Sequence, residues 1–127
     1  MNIAINGFGR IGRIFFRNAF DRQDMQIIAL NDIGSVENAA YLLRYDSVYG
    51  RYEKEVSSKK GALVVGGKEI AFFNEKDPSK LPWKDLSIDI VVESTGVFAS
   101  FEKAHAPIDA GARRVVITAP AADDGKT

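Results

Sequence analysis

Short apolar runs alternate with segments of helical periodicity at the start of the chain. The apolar runs are Ile3 to Ile5 and Met25 to Leu30, and the segment between them, Arg10 to Phe20, carries apolar residues at helical spacing. A second helical segment begins after Ser35, a residue type that caps helices, and ends before Tyr45. The pattern predicts a β-α-β unit with parallel strands and a right-handed crossover, followed by a second helix.

After the second helix the pattern changes to short strands separated by turn signals. The turn signals are Lys60-Gly61 and Gly66-Gly67. The apolar residues around them are Val56, Leu63 to Val65 and Ile70 to Phe73. We predict an antiparallel meander, inserted between the second helix and a later parallel strand.

Two later apolar runs return to the pattern of a parallel sheet. Ile88 to Val92 is continuously apolar, as is typical of a strand covered on both faces, and Arg114 to Thr118 is the last predicted strand. Between the meander and these strands, Leu81 to Trp83 is predicted to be a short cover that packs Trp83 against the sheet. A helical stretch is predicted from near Ser100 to Gly111. The predicted fold class is α/β, with a mostly parallel, doubly wound sheet.

The first predicted strand leads directly into a glycine-rich turn, Gly7-Phe8-Gly9-Arg10-Ile11-Gly12, with the spacing G-x-G-x-x-G. In dinucleotide-binding domains the first glycine allows a tight turn and the second lets a pyrophosphate approach the backbone. The third lets the following helix pack closely on its strand. Asp32 follows Gly12 by twenty positions, where a carboxylate that binds the adenosine ribose is expected.

This context predicts a Rossmann-like sheet that binds a dinucleotide, with an ordinary structural turn as the alternative. Asp32 favours NAD over NADP, because a 2′-phosphate would bring a second negative charge close to its carboxylate. The alternative role for Asp32 is that of a turn or helix-capping residue.

Composition narrows the classes of partner. Lysine plus arginine and aspartate plus glutamate number 17 each, so the net charge indicates neither a nucleic-acid partner nor an acidic membrane. The chain has no cysteine, which excludes disulfides, thiolate metal sites and a cysteine nucleophile within these residues. No apolar run reaches the length of a membrane span, and we expect a cytoplasmic protein without a metal ion.

Other polar residues lie at or near the predicted strand ends, where ligands of open α/β sheets bind. Gly96 and Thr118 could each contact a ligand or be ordinary strand-end residues. Lys76 is either a solvated charge or a contact to an adenine or ribose edge. For Glu93 a structural salt bridge is the favoured interpretation, and for the single histidine, His105, an exposed or helix-packing role.

Six motifs along the whole chain resemble the NAD-binding domain of phosphorylating glyceraldehyde-3-phosphate dehydrogenase. Six motifs in one order are far more specific than the glycine fingerprint alone. The motifs are Ile5 to Arg13, Asn31-Asp32, Tyr45 to Ser47 with Gly50, Glu75 to Pro78, Glu93 to Phe98, and Thr118 to Pro120.

The resemblance implies that residues 1–127 form a NAD-binding domain, incomplete relative to the family, with the catalytic domain absent from this chain. It places the backbone amides of Arg10 and Ile11 at the pyrophosphate, Asp32 at the adenosine ribose and Lys76 near the adenine, where the family often has arginine. Thr95, Gly96 and Phe98 would line the adenine side, and Thr118 would lie by the nicotinamide. The implied cofactor-binding residues are Asn6, Gly7, Phe8, Gly9, Arg10, Ile11, Asn31, Asp32, Lys76, Thr95, Gly96, Phe98 and Thr118.

The resemblance also implies the activity and assembly of the intact enzyme. Members oxidise and phosphorylate D-glyceraldehyde 3-phosphate to 1,3-bisphosphoglycerate with NAD in glycolysis, and they are usually homotetramers. In the family a cysteine attacks the aldehyde, a histidine acts as the base, and phosphate releases the acyl group. Both catalytic residues lie downstream of Thr127 in the family, so no catalytic residue is assigned here. We expect these residues alone to bind NAD, to be catalytically inactive and to be prone to self-association.

Three alternatives remain at this point. Erythrose-4-phosphate dehydrogenase resembles the same family, but a glutamate there commonly follows the asparagine at the second strand end, and the turn equivalent to Asp77-Pro78-Ser79 differs. A stand-alone nucleotide-binding module without catalysis is the second. A Rossmann domain for flavin or S-adenosylmethionine is the third, and the dehydrogenase-like motifs disfavour it.

Overall fold

A mixed sheet dominates the fold, with seven strands among the residues that the structure describes. The computed structural model of the protein describes residues 1–46, 50–51, 54–76, 80–94 and 111–117. In chain order the elements are β1 (Asn2–Asn6), α1 (Arg10–Ala19), β2 (Gln26–Asn31), α2 (Val36–Arg44), β3 (Tyr45–Asp46), β4 (Gly50–Arg51), β5 (Val56–Lys59), β6 (Ala62–Val65), β7 (Lys68–Phe73), β8 (Ile90–Glu93) and β9 (Arg114–Ile117). The main sheet has the order β5-β6-β7-β2-β1-β8-β9, and β3 and β4 pair separately.

The central strands of the sheet are parallel, and the order in which the chain adds strands reverses at β1. This strand has β2 on one side and β8 on the other, both parallel to it, and β9 continues in parallel beyond β8. The chain leaves β1 through α1 toward β2 and later returns to the opposite side of β1 with β8. Ligands of doubly wound sheets bind beyond the carboxyl ends of the strands at such a switch point. The predicted mostly parallel α/β architecture is confirmed.

The predicted meander is present and belongs to the main sheet. The strand pairs β5-β6 and β6-β7 are antiparallel, and both turns contain glycines with positive φ: Gly61 at 76°, Gly66 at 57° and Gly67 at 84°. Strand β7 also pairs in parallel with β2, with Leu30 opposite Phe72. The meander therefore extends the sheet and brings the end of β7 beside the end of β2.

Two apolar clusters cover the two faces of the sheet. Side chains alternate between the faces along a strand, so Ile3 and Ile5 of β1 join one cluster and Ala4 joins the other. Phe16 of α1 is fully buried in the first cluster, which places that helix on this face. Trp83 is fully buried in the second, as the sequence predicts.

The boundaries of the elements agree closely with the sequence pattern. The hydroxyl oxygen of Ser35 accepts from the backbone N–H of Asn38 at 3.0 Å, which confirms the predicted cap of α2. Strand β8 begins two residues later than predicted, and the backbone N–H of Ile88 donates to the carbonyl of Trp83 at 3.0 Å in the turn before it. The predicted helical stretch before Gly111 lies outside the described residues.

The described helices are short. None of the helices within the described ranges has the length and apolar character needed to cross a membrane.

Candidate dinucleotide-binding site

The glycine turn connects β1 to α1 at the switch point. Gly7 has a φ of 93°, a left-handed conformation that glycine adopts without strain, and its backbone N–H donates to the Asn31 carbonyl at 2.7 Å. A Cβ on Gly12 would overlap the carbonyl of Gly7 and lie 2.9 Å from Oγ of Ser94. A Cβ on Gly9 would meet nothing within 4 Å. The third glycine thus allows close packing, whereas the second borders open space.

The first turn of α1 begins directly after Gly9. Gly9 is the N-cap residue, and within the described part of the chain no side chain caps this end. The first helical hydrogen bond runs from the N–H of Arg13 to the carbonyl of Gly9 at 2.9 Å, so the preceding amides have no intrahelical acceptor. Arg10 and Ile11 are exposed. Amides in this arrangement attract anions, and a pyrophosphate group suits them.

Asp32 connects the end of β2 to the glycine turn. Its Oδ1 accepts from the backbone N–H of Phe8 at 3.0 Å, and its Oδ2 accepts from the backbone N–H of Gly34 at 3.0 Å. Asp32 therefore makes the contacts of a turn residue, the alternative interpretation, and these contacts are compatible with the predicted ribose contact. It is half-buried, and each carboxylate oxygen retains a further lone pair, so the carboxylate can still accept from ribose hydroxyls.

A row of buried polar side chains crosses the carboxyl ends of three parallel strands. Asn6 of β1 lies in register with Asn31 of β2 and with Glu93 of β8. The side-chain amide of Asn31 donates to Oδ1 of Asn6 at 2.8 Å, and the amide of Asn6 donates to Oε2 of Glu93 at 2.8 Å. Oδ1 of Asn31 accepts in turn from the backbone N–H of Glu75 at 2.9 Å. We call Glu93, Asn6 and Asn31 the buried polar row.

The buried polar row lies at the carboxyl ends of β1, β2 and β8, directly before the glycine turn and Asp32. Its three side chains are at most 3% exposed, and their polar groups bond to one another. The amide of Asn31 also donates to the Glu75 carbonyl at 3.0 Å, so the row reaches the segment that carries Lys76. The burial of Glu93 is consistent with a structural role for this carboxyl group.

Ser94 is a contributor that sequence reasoning did not single out. Its Oγ lies 2.5 Å from the Gly7 carbonyl oxygen and 3.3 Å from that of Asn6, and its hydrogen is donated to the nearer acceptor. The hydroxyl thereby ties the residue after β8 to the glycine turn. Its position beside Glu93 at a predicted strand end was the only sequence signal for this role.

The structure brings together the site residues of the first two strands. Phe8 contributes to the site through its backbone N–H, which donates to Asp32. Its side chain is buried and packs edge-to-face on Phe16 at a centroid distance of 5.7 Å. Lys76 is exposed beside Glu75. The predicted site residues Thr95, Gly96, Phe98 and Thr118, and also His105, lie outside the described residues.

Comparison with known proteins agrees with this geometry. Residues 1–101 match the family described as the NAD-binding domain of glyceraldehyde 3-phosphate dehydrogenase. The chain belongs to this family. The resemblance seen in its six motifs is thereby confirmed, and so is NAD as the cofactor of the domain.

Individual relatives cover nearly the whole chain. It is 51% identical over 121 residues to the glyceraldehyde-3-phosphate dehydrogenase of Thermotoga maritima, which covers 94% of this chain and 36% of the relative. It is 51% identical over 125 residues to that of Clostridium acetobutylicum, with 98% and 37% covered. It is 51% identical over 124 residues to the cytosolic enzyme of Leishmania mexicana, with 98% and 38% covered. The chain thus spans little more than a third of the length of these relatives.

Proposed function

We propose that this chain is the cofactor-binding part of a glyceraldehyde-3-phosphate dehydrogenase that oxidises and phosphorylates D-glyceraldehyde 3-phosphate in glycolysis. The observation that carries the proposal is the glycine turn at the switch point, where the start of α1 has no side-chain cap and the Asp32 carboxylate accepts from the backbone N–H of Phe8. NAD, when bound, supplies the acceptor for the hydride of the aldehyde. A cytoplasmic homotetramer is the proposed context of the whole enzyme.

The described residues fit NAD by their chemistry. The backbone amides of Arg10 and Ile11 suit the pyrophosphate, because they lack intrahelical acceptors and directly follow Gly9, which borders open space. Asp32 suits the adenosine ribose, since its carboxylate is held in one orientation by two backbone amides. Lys76, exposed beyond β7, is the proposed contact near the adenine.

The remaining assignments follow from membership of the family. Asn6 and Asn31 are proposed to support the site through the hydrogen bonds of the buried polar row. Gly7, Phe8 and Gly9 are proposed to act through their backbone. Thr95, Gly96 and Phe98 are proposed for the adenine side and Thr118 for the nicotinamide side.

The chemistry of the aldehyde requires residues that this chain does not have. With no cysteine among the 127 residues, the chain offers no thiolate to attack the substrate. The proposed function of these residues is therefore to bind and orient NAD, and we expect no turnover from them alone. Aldehyde oxidation by a sample whose intact mass corresponds to residues 1–127 would contradict this part of the proposal.

The test is a calorimetric titration of the 127-residue chain with NAD, with NADP as the competing ligand. We expect NAD to bind more tightly than NADP, because Asp32 accepts from the 2′-hydroxyl and repels a 2′-phosphate. Asp32→Asn should lower the affinity for NAD by about 2 kcal/mol, roughly thirtyfold, through loss of a charge-assisted hydrogen bond.

The matched control is Asp24→Asn. Asp24 is exposed and pairs with Arg22 at 2.8 Å just before the amino end of β2, whereas Asp32 follows the carboxyl end of that strand. The control should bind NAD as the unchanged chain does. Failure of the unchanged chain to bind NAD, or tight binding of a flavin or S-adenosylmethionine, would overturn the proposed function.

A further inference from the structure

We propose that Asn74 is a positioning residue that orients Asp32 for recognition of the ribose 2′-hydroxyl. The inference rests on the proposed function and adds a residue outside the set that the sequence indicates. Asn74 is the first residue after β7, and its side chain is exposed.

The contacts of Asn74 bracket the turn that carries Asp32. Its side-chain amide nitrogen donates to the carbonyl of Asp32 at 2.6 Å and to the carbonyl of Gly34 at 2.7 Å. A primary amide has two hydrogens, and both are used on one three-residue turn. Rotation of either peptide group would therefore break a hydrogen bond to Asn74.

The sheet explains why Asn74 reaches this turn. Asn31 lies opposite Phe73 in the parallel pair of β2 and β7, and the backbone N–H of Asp32 donates to the Phe73 carbonyl at 3.1 Å. Asn74 therefore lies immediately beside Asp32 where the ladder ends. Its side chain hydrogen-bonds to the turn that follows β2, one residue beyond the last backbone pair of the ladder.

Fixing the turn fixes the carboxylate. Oδ2 of Asp32 accepts from the N–H of Gly34 within the turn, and Oδ1 accepts from the N–H of Phe8 in the glycine turn. A Cβ on residue 34 would come within 3.1 Å of Oδ2, so the carboxylate and the turn are in close contact. Displacement of the turn would move the carboxylate relative to the start of α1, where the pyrophosphate is proposed to bind.

A purely structural role of Asn74 predicts that its loss mainly lowers the stability of the domain. The turn lies beyond the last residue pair of the ladder, and Ile33 within it is 75% exposed, so little apolar burial depends on Asn74. Loss of its amide should therefore change the orientation of Asp32 more than the stability of the domain. A comparison of NAD with its 2′-deoxyadenosine analogue separates the two roles, because only NAD offers the 2′-hydroxyl.

The experiment measures both affinities for the unchanged chain and for Asn74→Ala, Asn74→Gln, Asp32→Asn and the Asn74→Ala/Asp32→Asn double variant. We expect Asn74→Ala to weaken NAD binding about fivefold and to leave the analogue within twofold. Asn74→Gln keeps the amide and should recover part of the preference for NAD. In the double variant, Asn74→Ala should add nothing to the effect of Asp32→Asn, since the two residues act on one contact.

Asn18→Ala, which removes an exposed asparagine from α1, is the control and should change neither affinity. Equal weakening of both ligands by Asn74→Ala, or no weakening of either, would overturn the inference. If Asp32→Asn removes the preference for NAD and Asn74→Ala does not alter it, the inference alone fails. If the unchanged chain binds neither ligand, the proposed function fails together with the inference.

Discussion

The side-chain amide of Asn6 donates to Oε2 of Glu93 at 2.8 Å, between two residues separated by 87 positions in the sequence. Both side chains are 2% exposed. The hydrogen bond joins β1 to β8 at the switch point, at the residue that directly precedes the glycine turn. Because a buried polar group without a partner is costly, this bond couples the stability of the sheet to the shape of the site.

Removing the carboxyl group of Glu93 should destabilise the domain. We expect Glu93→Leu to lower the free energy of unfolding by about 2–3 kcal/mol, because the buried amide of Asn6 loses its acceptor. Glu93→Gln keeps an oxygen that can accept from Asn6 and should cost about 1 kcal/mol. Urea unfolding followed by circular dichroism measures both values. A Glu93→Leu variant as stable as the unchanged chain would show that the bond contributes nothing.

Two glycines of the same turn should respond differently to alanine. A methyl group on Gly12 would overlap the Gly7 carbonyl, so we expect Gly12→Ala to displace α1, to cost about 2 kcal/mol of stability and to abolish NAD binding.

Gly9→Ala is the matched variant for this test. The added methyl meets no protein atom within 4 Å, and the φ of −81° suits alanine, so the melting temperature should not fall. The methyl would project where the pyrophosphate is proposed to approach, and we expect at least tenfold weaker NAD binding by calorimetry. Unchanged NAD binding by Gly9→Ala would place the pyrophosphate elsewhere.

Ser94 should contribute through its hydroxyl group. In Ser94→Ala the Gly7 carbonyl loses its 2.5 Å donor, and we expect a loss of about 1 kcal/mol in unfolding free energy with a few-fold weaker affinity for NAD. Ser57→Ala, at an exposed position of the edge strand β5, is the control and should behave as the unchanged chain. If the two variants had the same stability and affinity, the hydroxyl of Ser94 would have no role in holding the turn.

Local sequence patterns predicted most of the helices and strands, and they predicted the glycine turn and Asp32 of the candidate site. The helical spacing after the glycine turn, the Ser35 cap and the glycines of the meander each act within a few residues, and the structure agrees with all of them. The spacing from Gly12 to Asp32 likewise follows from one β-α-β unit, whose parallel strands place their carboxyl ends together. The periodicity of the sequence is enough to predict such features, because the interacting residues belong to elements that are adjacent along the chain.

The hydrogen-bond partners of the polar side chains at the strand ends were decided only by the tertiary structure. The row from Glu93 through Asn6 to Asn31 depends on the register of three strands, and a shift of one residue in either pairing would turn one of these side chains to the other face. The contacts of Ser94 with Gly7 and of Asn74 with Asp32 likewise required β8 to return beside β1 and β7 to pair with β2. The sequence by itself determined the ligand class and predicted Asp32 as its carboxylate, because the signals for both are local. Strand order and register, set by burial across the whole sheet, determined which distant side chains contact the turn at Asp32 and the glycine turn.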